Sequence, residues 1–108
     1  MDKWERGSIV MVTFSQTNKR PCVILSASAL NEVLETLIVA PLTTNVVPDA
    51  WPLRLNLSPR GSMPKPTDVM LELFYTVNKE MVDPSVIATL SAVELTMISS
   101  QVKKIFSL

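Results

Sequence analysis

The chain has 108 residues, 47% of them apolar, and its ten lysines and arginines balance its ten aspartates and glutamates. This length is enough for one hydrophobic core, so the sequence predicts a single domain over residues 1–108, and the apolar content excludes a disordered chain. Proteins that hold duplex nucleic acid through many phosphates usually carry a basic excess. Zero net charge therefore disfavours extended DNA binding, while a small site around one or two arginines stays open.

Residue types that build metal and redox sites are scarce. The chain has no histidine and a single cysteine, Cys22, which lies inside an apolar run. We interpret Cys22 as a small buried hydrophobic residue in a reducing, cytoplasmic compartment, and we expect neither a metal site nor a cofactor. No apolar run approaches the length of a membrane span, and the first residues lack a signal-peptide pattern, so no membrane association is expected.

The first half of the chain predicts three strands and one short helix. Residues 8–14, SIVMVTF, are apolar on both faces, which indicates a buried strand. A polar connector then leads to a second strand at residues 21–25, and a hairpin is the simplest arrangement of the two. Ser28 is predicted to cap a short helix whose Leu30, Val33 and Leu34 face inward. A third strand over residues 36–40 is expected to end at Pro41.

The second half predicts shorter strands separated by loops. Residues 45–52 form a loop in which Trp51 is either a lid over the core or part of a binding surface. Residues 53–57 alternate as a half-exposed strand, and the proline-rich loop that follows carries Arg60 and Lys65 without a nearby acid. Residues 68–75 alternate again, and residues 86–90 predict a short last strand.

A C-terminal helix near residues 92–106 is the clearest element. Ser91 and Glu94 have the spacing of a capping box, and Leu90 and Leu95 on either side of it are placed to form a hydrophobic staple. An inward stripe is predicted, with polar residues facing water on the other side; the stripe is Leu95, Ile98, Val102 and Ile105, and the polar residues are Gln101, Lys103 and Lys104. Five or six strands in hairpin order with these two helices predict a mainly β protein, a compact β-barrel.

An ordered set of short motifs resembles a known family. Arg20-Pro21 opens the second strand, Asn31 lies downstream of a Leu-Ser turn, and residues 39–44 read VAPLTT. Over residues 6–46, and more loosely in the final helix, this order resembles the MazF/PemK toxins of type II toxin–antitoxin pairs. The resemblance implies an SH3-like barrel of the MazF/PemK/CcdB type, a homodimer and a cognate antitoxin with an acidic tail. It also implies metal-independent, sequence-selective cleavage of single-stranded RNA.

The resemblance also assigns roles to individual residues. It implies that Arg20 and Thr43 are catalytic, with the arginine stabilising charge on the phosphate and the threonine hydrogen-bonding it. The residues alone leave structural alternatives open, in which Arg20 is a surface arginine at a strand end and Thr43 only satisfies a turn. Lys19, Thr44 and Asn31 are the substrate-binding candidates, and Asn31 has a structural alternative as a clamp on a neighbouring loop.

Two departures from the family pattern keep other functions open. The first loop, residues 15–19, is short and has no acid, and the family's Asp-Gln pair is replaced by LFYT at residues 73–76. One alternative is a binding protein on the same fold, directed to an antitoxin or to DNA gyrase, without ribonuclease activity. The gyrase variant is disfavoured because the chain ends IFSL and lacks the Trp-Gly-Ile tail of CcdB-type toxins. A barrel unrelated to toxins is the third hypothesis.

Overall fold

The structure is a computed structural model that describes residues 4–108. Seven strands are present in these residues: β1 Ser8–Thr13, β2 Lys19–Ile24, β3 Thr36–Thr43, β4 Arg54–Leu57, β5 Thr67–Met70, β6 Tyr75–Asn78 and β7 Val82–Thr89. The helices are α1 Ser28–Val33 and α2 Ala92–Phe106, and a 3-10 turn at Lys79–Met81 leads into β7. The predicted mainly β fold, with a short helix after the second strand and a helix at the C-terminus, is confirmed. Neither helix is long and apolar enough to cross a membrane.

All strand pairs are antiparallel, and β3 is the centre of the sheet. The strand order is β4-β5-β3-β2-β1-β7, and β6 pairs separately with β3. The first half of β3 pairs with β6, where Thr36 lies opposite Asn78, and its end pairs with β5, where Thr43 lies opposite Asp68. Because β3 changes partner along its length, the sheet is bent there into a barrel-like shape.

The third strand does not end at Pro41 as predicted. β3 continues to Thr43, and Pro41 lies in the sheet opposite Cys22. The proline is tolerated because it falls between two partners. Pairing with β6 stops at Val39 and pairing with β5 begins at Leu42. Residue 41 therefore needs no backbone N–H to bond a strand on that edge of β3. The extension carries Thr43 to the end of a strand that is held in the sheet.

The core consists of two clusters of buried apolar side chains. One packs against α2 and is centred on the fully buried Ile9, Val23 and Ile98. The other contains Val10, Val12 and Cys22 on the opposite face of the same strands. β1 contributes to both clusters, which confirms the prediction of a strand that is buried on both faces.

The orientation predicted for α1 is wrong. Leu30, Val33 and Leu34 are exposed, and Asn31 is the buried residue of this helix. Ser28 does not cap the helix, because the residue before it takes the N-cap position and the Ser28 hydroxyl accepts a hydrogen bond from the Arg6 backbone. A six-residue helix has one inward position here, and the hydrogen bonds of Asn31 hold that face toward the barrel.

The C-terminal helix agrees with its prediction except at one position. Both reciprocal hydrogen bonds of the Ser91–Glu94 capping box are present. Gln101, predicted to face water, is instead completely buried. Its amide nitrogen donates to the carbonyl oxygens of Pro52 and Arg54, at 3.1 and 2.7 Å. These carbonyls are covered by α2, so a donor is needed on the buried face of the helix.

The single strand predicted over residues 68–75 is wrong as well. β5 ends at Met70, a turn follows at Leu71 and Glu72, and β6 begins at Tyr75. The turn lets β6 reach the other half of β3, which a continuous strand could not do. The last strand is also longer than predicted, since Val82 and Thr89, at the two ends of β7, both pair with β1.

Candidate functional site

A surface cavity of about 380 Å³ contains three of the predicted site residues. Arg20 lines it from the start of β2, and Thr43 and Thr44 line it from the end of β3. Lys65 comes from the loop between β4 and β5, and Thr67 from the start of β5. Three segments that are distant in sequence therefore converge on one concave surface.

Strand register explains why Arg20 and Thr43 meet. Cys22 lies opposite Pro41 in the antiparallel pair of β2 and β3. Moving two residues back along β2 and two forward along β3 brings Arg20 opposite Thr43 on the same face of the sheet. The motif spacing in the sequence thus becomes a cross-strand pair at the cavity.

Arg20 is available to bind an anion. It is partly buried, and among residues 4–108 it forms no ion pair. None of the described residues that line the cavity is acidic. A guanidinium group in this setting offers several fixed N–H donors to a phosphate.

Cys22, two residues from Arg20, is not suited to be a nucleophile. Burial raises the pKa of its thiol to about 12, although the positive charge of Arg20 acts in the opposite direction. The thiol is therefore protonated at neutral pH, and only the thiolate is strongly nucleophilic. Its interpretation as a small core residue agrees with its complete burial.

The other two predicted substrate-binding residues lie outside this cavity. Lys19 is an exposed residue at the start of β2, opposite Thr13, and does not line the cavity. Asn31 is fully buried: its amide nitrogen donates to the carbonyl oxygens of Trp4 and Ser26 at 2.7 and 2.9 Å, and its oxygen accepts from the Ser26 hydroxyl at 2.6 Å. The structural alternative, a clamp on neighbouring loops, therefore accounts for all the polar atoms of Asn31.

The sequence did not predict that residues 58–66 form a wall of the cavity. Arg60, interpreted as lacking an acid, forms an ion pair with Glu94 on α2, and its Nη2 donates to Glu94 Oε2 at 2.7 Å. A bridge between Arg60 and Met63 closes the loop. At Gly61, φ is +50° and a Cβ would lie 2.6 Å from the Ile87 carbonyl oxygen, so the position requires glycine. The loop is thus held against the barrel, with Ser62 to Lys65 facing the cavity.

The stretch that replaces the family's Asp-Gln pair lies elsewhere. Phe74 and Thr76 line a separate apolar groove of about 520 Å³ between the sheet and α2. The adjacent Glu72 accepts hydrogen bonds from Arg54 Nε at 3.0 and 3.1 Å. None of these residues lines the cavity that contains Arg20.

The fold and the cavity define a small antiparallel β-barrel with a docked C-terminal helix and an arginine–threonine site between neighbouring strand ends. The sequence profile of the PemK-like, MazF-like toxins of type II toxin–antitoxin systems matches residues 5–106. The chain therefore belongs to this toxin family. A sequence comparison with curated proteins gives no significant match.

Solved structures of MazF proteins share the fold. The Mycobacterium tuberculosis toxin MazF-mt6 superposes with a TM-score of 0.81 at 21% identity, over 94% of this chain and 97% of that chain. An endoribonuclease in complex with its cognate antitoxin, from a Mycobacterial species, has a TM-score of 0.78 at 17% identity, over 100% and 97% of the two chains. The MazE–MazF complex (Form-II) from Deinococcus radiodurans has a TM-score of 0.78 at 17% identity, over 96% and 95%. At these identities the likeness establishes the fold.

Proposed function

We propose that this toxin is a sequence-selective endoribonuclease that cleaves single-stranded RNA without a metal ion, at the cavity lined by Arg20 and Thr43. The observation that carries the proposal is the arginine itself. It lines a concave site together with Thr43, Thr44 and Lys65, and among residues 4–108 no carboxylate pairs with it.

The reaction that fits these groups is transesterification. The ribose 2′-oxygen attacks the adjacent phosphorus, the bond from phosphorus to the 5′-oxygen breaks, and a 2′,3′-cyclic phosphate and a free 5′-hydroxyl result. The proton lost by the 2′-hydroxyl is balanced by the proton gained by the 5′-oxygen. Charge develops on the phosphate oxygens in the transition state, where a fixed cation is most effective.

Arg20 and Thr43 are assigned different shares of this work. Arg20 donates to the phosphate oxygens and stabilises the extra charge of the phosphorane. Thr43 donates one neutral hydrogen bond to the same phosphate and orients it. Lys19 and Thr44 flank these two residues in sequence and are proposed to contact neighbouring nucleotides.

The charge balance supports a short, single-stranded substrate. The chain's ten lysines and arginines are balanced by ten aspartates and glutamates, so it has no basic excess to neutralise a long stretch of backbone, and its affinity for RNA should depend only modestly on salt. A cavity of about 380 Å³ limits the site to a short segment of the substrate. An exposed base can enter such a site only when it is not paired in a duplex.

An antitoxin is the proposed protein partner. Two of the structures that share this fold are complexes, one of an endoribonuclease with its cognate antitoxin and one of MazE with MazF. We propose that an acidic antitoxin segment binds this protein over Arg20. A homodimer is proposed on the same family grounds.

A second candidate function is antitoxin binding without RNA cleavage. The observation that favours it is the set of groups around Arg20: the described cavity residues include hydroxyls, a lysine and an arginine, but no carboxylate to accept the 2′-hydroxyl proton. General-base catalysis typically contributes 10²–10⁴-fold to a rate. A chain that binds its antitoxin but cleaves RNA no faster than buffer would have this function.

The deciding experiment is cleavage of a long RNA by the purified toxin with a chelator present. We expect wild-type protein to produce fragments with 5′-hydroxyl ends. Arg20→Ala should lose on the order of 3 kcal/mol of transition-state stabilisation, as for removal of one oxyanion donor. Thr43→Ala should lose less, because a neutral hydrogen bond is weaker than a charge-assisted one.

The matched control is Lys104→Ala, which removes a cation from α2 at a position that does not line the cavity. It should cleave like the wild type, and all variants should keep the wild-type unfolding midpoint. Absence of cleavage by folded wild-type protein, or full activity of Arg20→Ala, overturns the assignment.

A further inference from the structure

The turn that follows Thr43 is tied down at three points. The Thr43 hydroxyl accepts a hydrogen bond from the Asn45 backbone at 3.1 Å. The Asn45 carbonyl accepts one from Arg54 Nη1 at 3.4 Å, and the Val47 backbone donates one to Asp68 Oδ2 at 2.9 Å. Val47 and Asn45 are exposed, so these bonds, rather than burial, hold the turn in place.

Asp68 is the centre of this arrangement. It is completely buried on β5, directly opposite Thr43 in the strand register. Besides Val47, its carboxylate accepts from Arg54 Nη1 at 3.1 Å and from the Asn56 side-chain amide. A buried carboxylate is costly unless it is paired and hydrogen-bonded, and here both oxygens have donors.

Arg54 connects the buried carboxylate to the rest of the molecule. Its guanidinium group bonds Asp68 and Glu72, and its backbone carbonyl accepts from the buried Gln101 of α2 at 2.7 Å. The side chain of Arg54 has 15% of its surface exposed, against 34% for Glu72. Arg54 is thus held at both its backbone and its charged end.

We propose that Asp68 is a positioning residue for RNA cleavage: through the backbone of residues 45–47, it holds Thr43 and Thr44 in the orientation required at the cavity. The inference rests on the proposed ribonuclease function. Asp68 does not line the cavity and touches no substrate in this assignment. Its effect passes through the Val47 backbone and through Arg54 to the Asn45 carbonyl.

A purely structural role is the competing explanation, and the energetics of buried ion pairs allow the two to be separated. Replacing a buried pair with apolar residues of similar volume is often neutral or stabilising, whereas removing one partner destabilises. β5 is buried along its whole length, so an apolar residue at position 68 fits the burial of the strand, at the cost of the hydrogen bond from Asn56. If stability were the only role, the apolar replacement of Arg54 and Asp68 together would retain activity.

The first experiment compares Asp68→Ala with Glu72→Ala, each of which removes one carboxylate from Arg54. Amide hydrogen exchange is measured at Val47, and cleavage of a long RNA is measured with chelator present. In Asp68→Ala, we expect faster exchange at Val47 and a kcat lower by roughly 10- to 100-fold, with KM changed less than about threefold, since misplacement of this kind acts on the chemical step. Glu72→Ala should keep Val47 protected and kcat near the wild-type value.

Asp68→Asn retains one oxygen for Val47 and should recover part of kcat.

The second experiment uses the double variant Arg54→Met with Asp68→Leu, in case Asp68→Ala does not fold. We expect it to remain folded, as measured by its denaturant midpoint, to lose Val47 protection and to show the same reduced kcat. Full activity in this folded variant overturns the positioning role of Asp68 and leaves the proposed function standing. Absence of cleavage by wild-type protein overturns the proposed function and the positioning role together.

Discussion

At the scale of single residues, two neighbouring cations of the sequence have different environments in the structure. Lys19 and Arg20 are adjacent cations at the start of β2, but only Arg20 lines the cavity. The exposed ammonium of Lys19 is well hydrated, so any contact it makes with RNA contributes little. The guanidinium of Arg20 is partly buried, so in the proposed function it would act on a phosphate at a lower effective dielectric than an exposed cation does.

Asn31 provides a residue-scale prediction. Asn31→Ala should lower the free energy of unfolding by roughly 2–3 kcal/mol, because it leaves the carbonyl of Trp4 and groups of Ser26 without their partner. Urea denaturation measures the change. Val33→Ala on the same helix is the control, since its side chain is 74% exposed and the cost should stay within about 0.5 kcal/mol. Equal costs for the two variants would mean that the buried hydrogen bonds of Asn31 add no stability.

At the scale of elements, the ion pair between Arg60 and Glu94 fastens the cavity loop to α2. The hydrogen bond from Arg60 lowers the pKa of Glu94 below its ordinary value of 4.5, against the effect of burial. The carboxylate of Glu94 therefore binds a proton more tightly in the unfolded chain than in the folded protein. The stabilisation is fully present above about pH 4.5 and is lost as the pH falls through the folded-state pKa.

Glu94→Gln tests this linkage because glutamine keeps the capping box and removes the charge. At pH 7 the variant should be about 1 kcal/mol less stable than the wild type, since a partly buried charged hydrogen bond is replaced by a neutral one. The difference should shrink as the pH is lowered from 5 to 3, measured by urea unfolding at each pH. If the difference in free energy of unfolding between the two proteins stays constant from pH 5 to 3, the ion pair does not cause it.

The predictability of these elements follows from how local their determinants are. β1 and α2 could be predicted from the sequence, because a continuous apolar run and a capping box each depend only on residues that are close together in the chain. The inward position of Gln101 could not, since it depends on the carbonyls of Pro52 and Arg54, nearly fifty residues away in the chain. The break between β5 and β6 was likewise hidden, because it results from a partner change along β3.

The candidate site divides in the same way. Arg20 and Thr43 could be paired from the motif order, because two neighbouring antiparallel strands bring their ends together. The loop that carries Lys65 could not, since its anchor joins Arg60 to a glutamate 34 residues later. Alternation over residues 68–75 separates Asp68 from Val69 but does not say which side is buried, and the structure buries both, with Asp68 beside Arg54.

At the scale of the whole molecule, exposed apolar surface predicts a homodimer. The groove between the sheet and α2 has Ile38 and Phe106 on its walls, and these side chains are 44% and 54% exposed. Contiguous apolar surface of this kind usually marks a protein interface. We expect sedimentation to give the mass of two chains at micromolar concentration, with little change at high salt, because apolar contacts are not screened. The mass of one chain under these conditions would contradict the dimer.

The antitoxin prediction is also made at this scale, because it concerns the field of the whole cavity. Lys65 and Arg20 face one cavity without an acidic lining residue among those described, so an acidic segment should bind there and exclude RNA. Co-expression with the adjacent gene product should yield a complex whose RNA cleavage is suppressed at low salt and recovers as salt weakens the contact. Arg20→Ala should weaken this complex by roughly three- to tenfold at low salt, measured by titration calorimetry, since one rim charge is removed. Lys104→Ala, outside the cavity, should leave the affinity unchanged. A complex that cleaves RNA as fast as the free toxin would show that the antitoxin binds elsewhere.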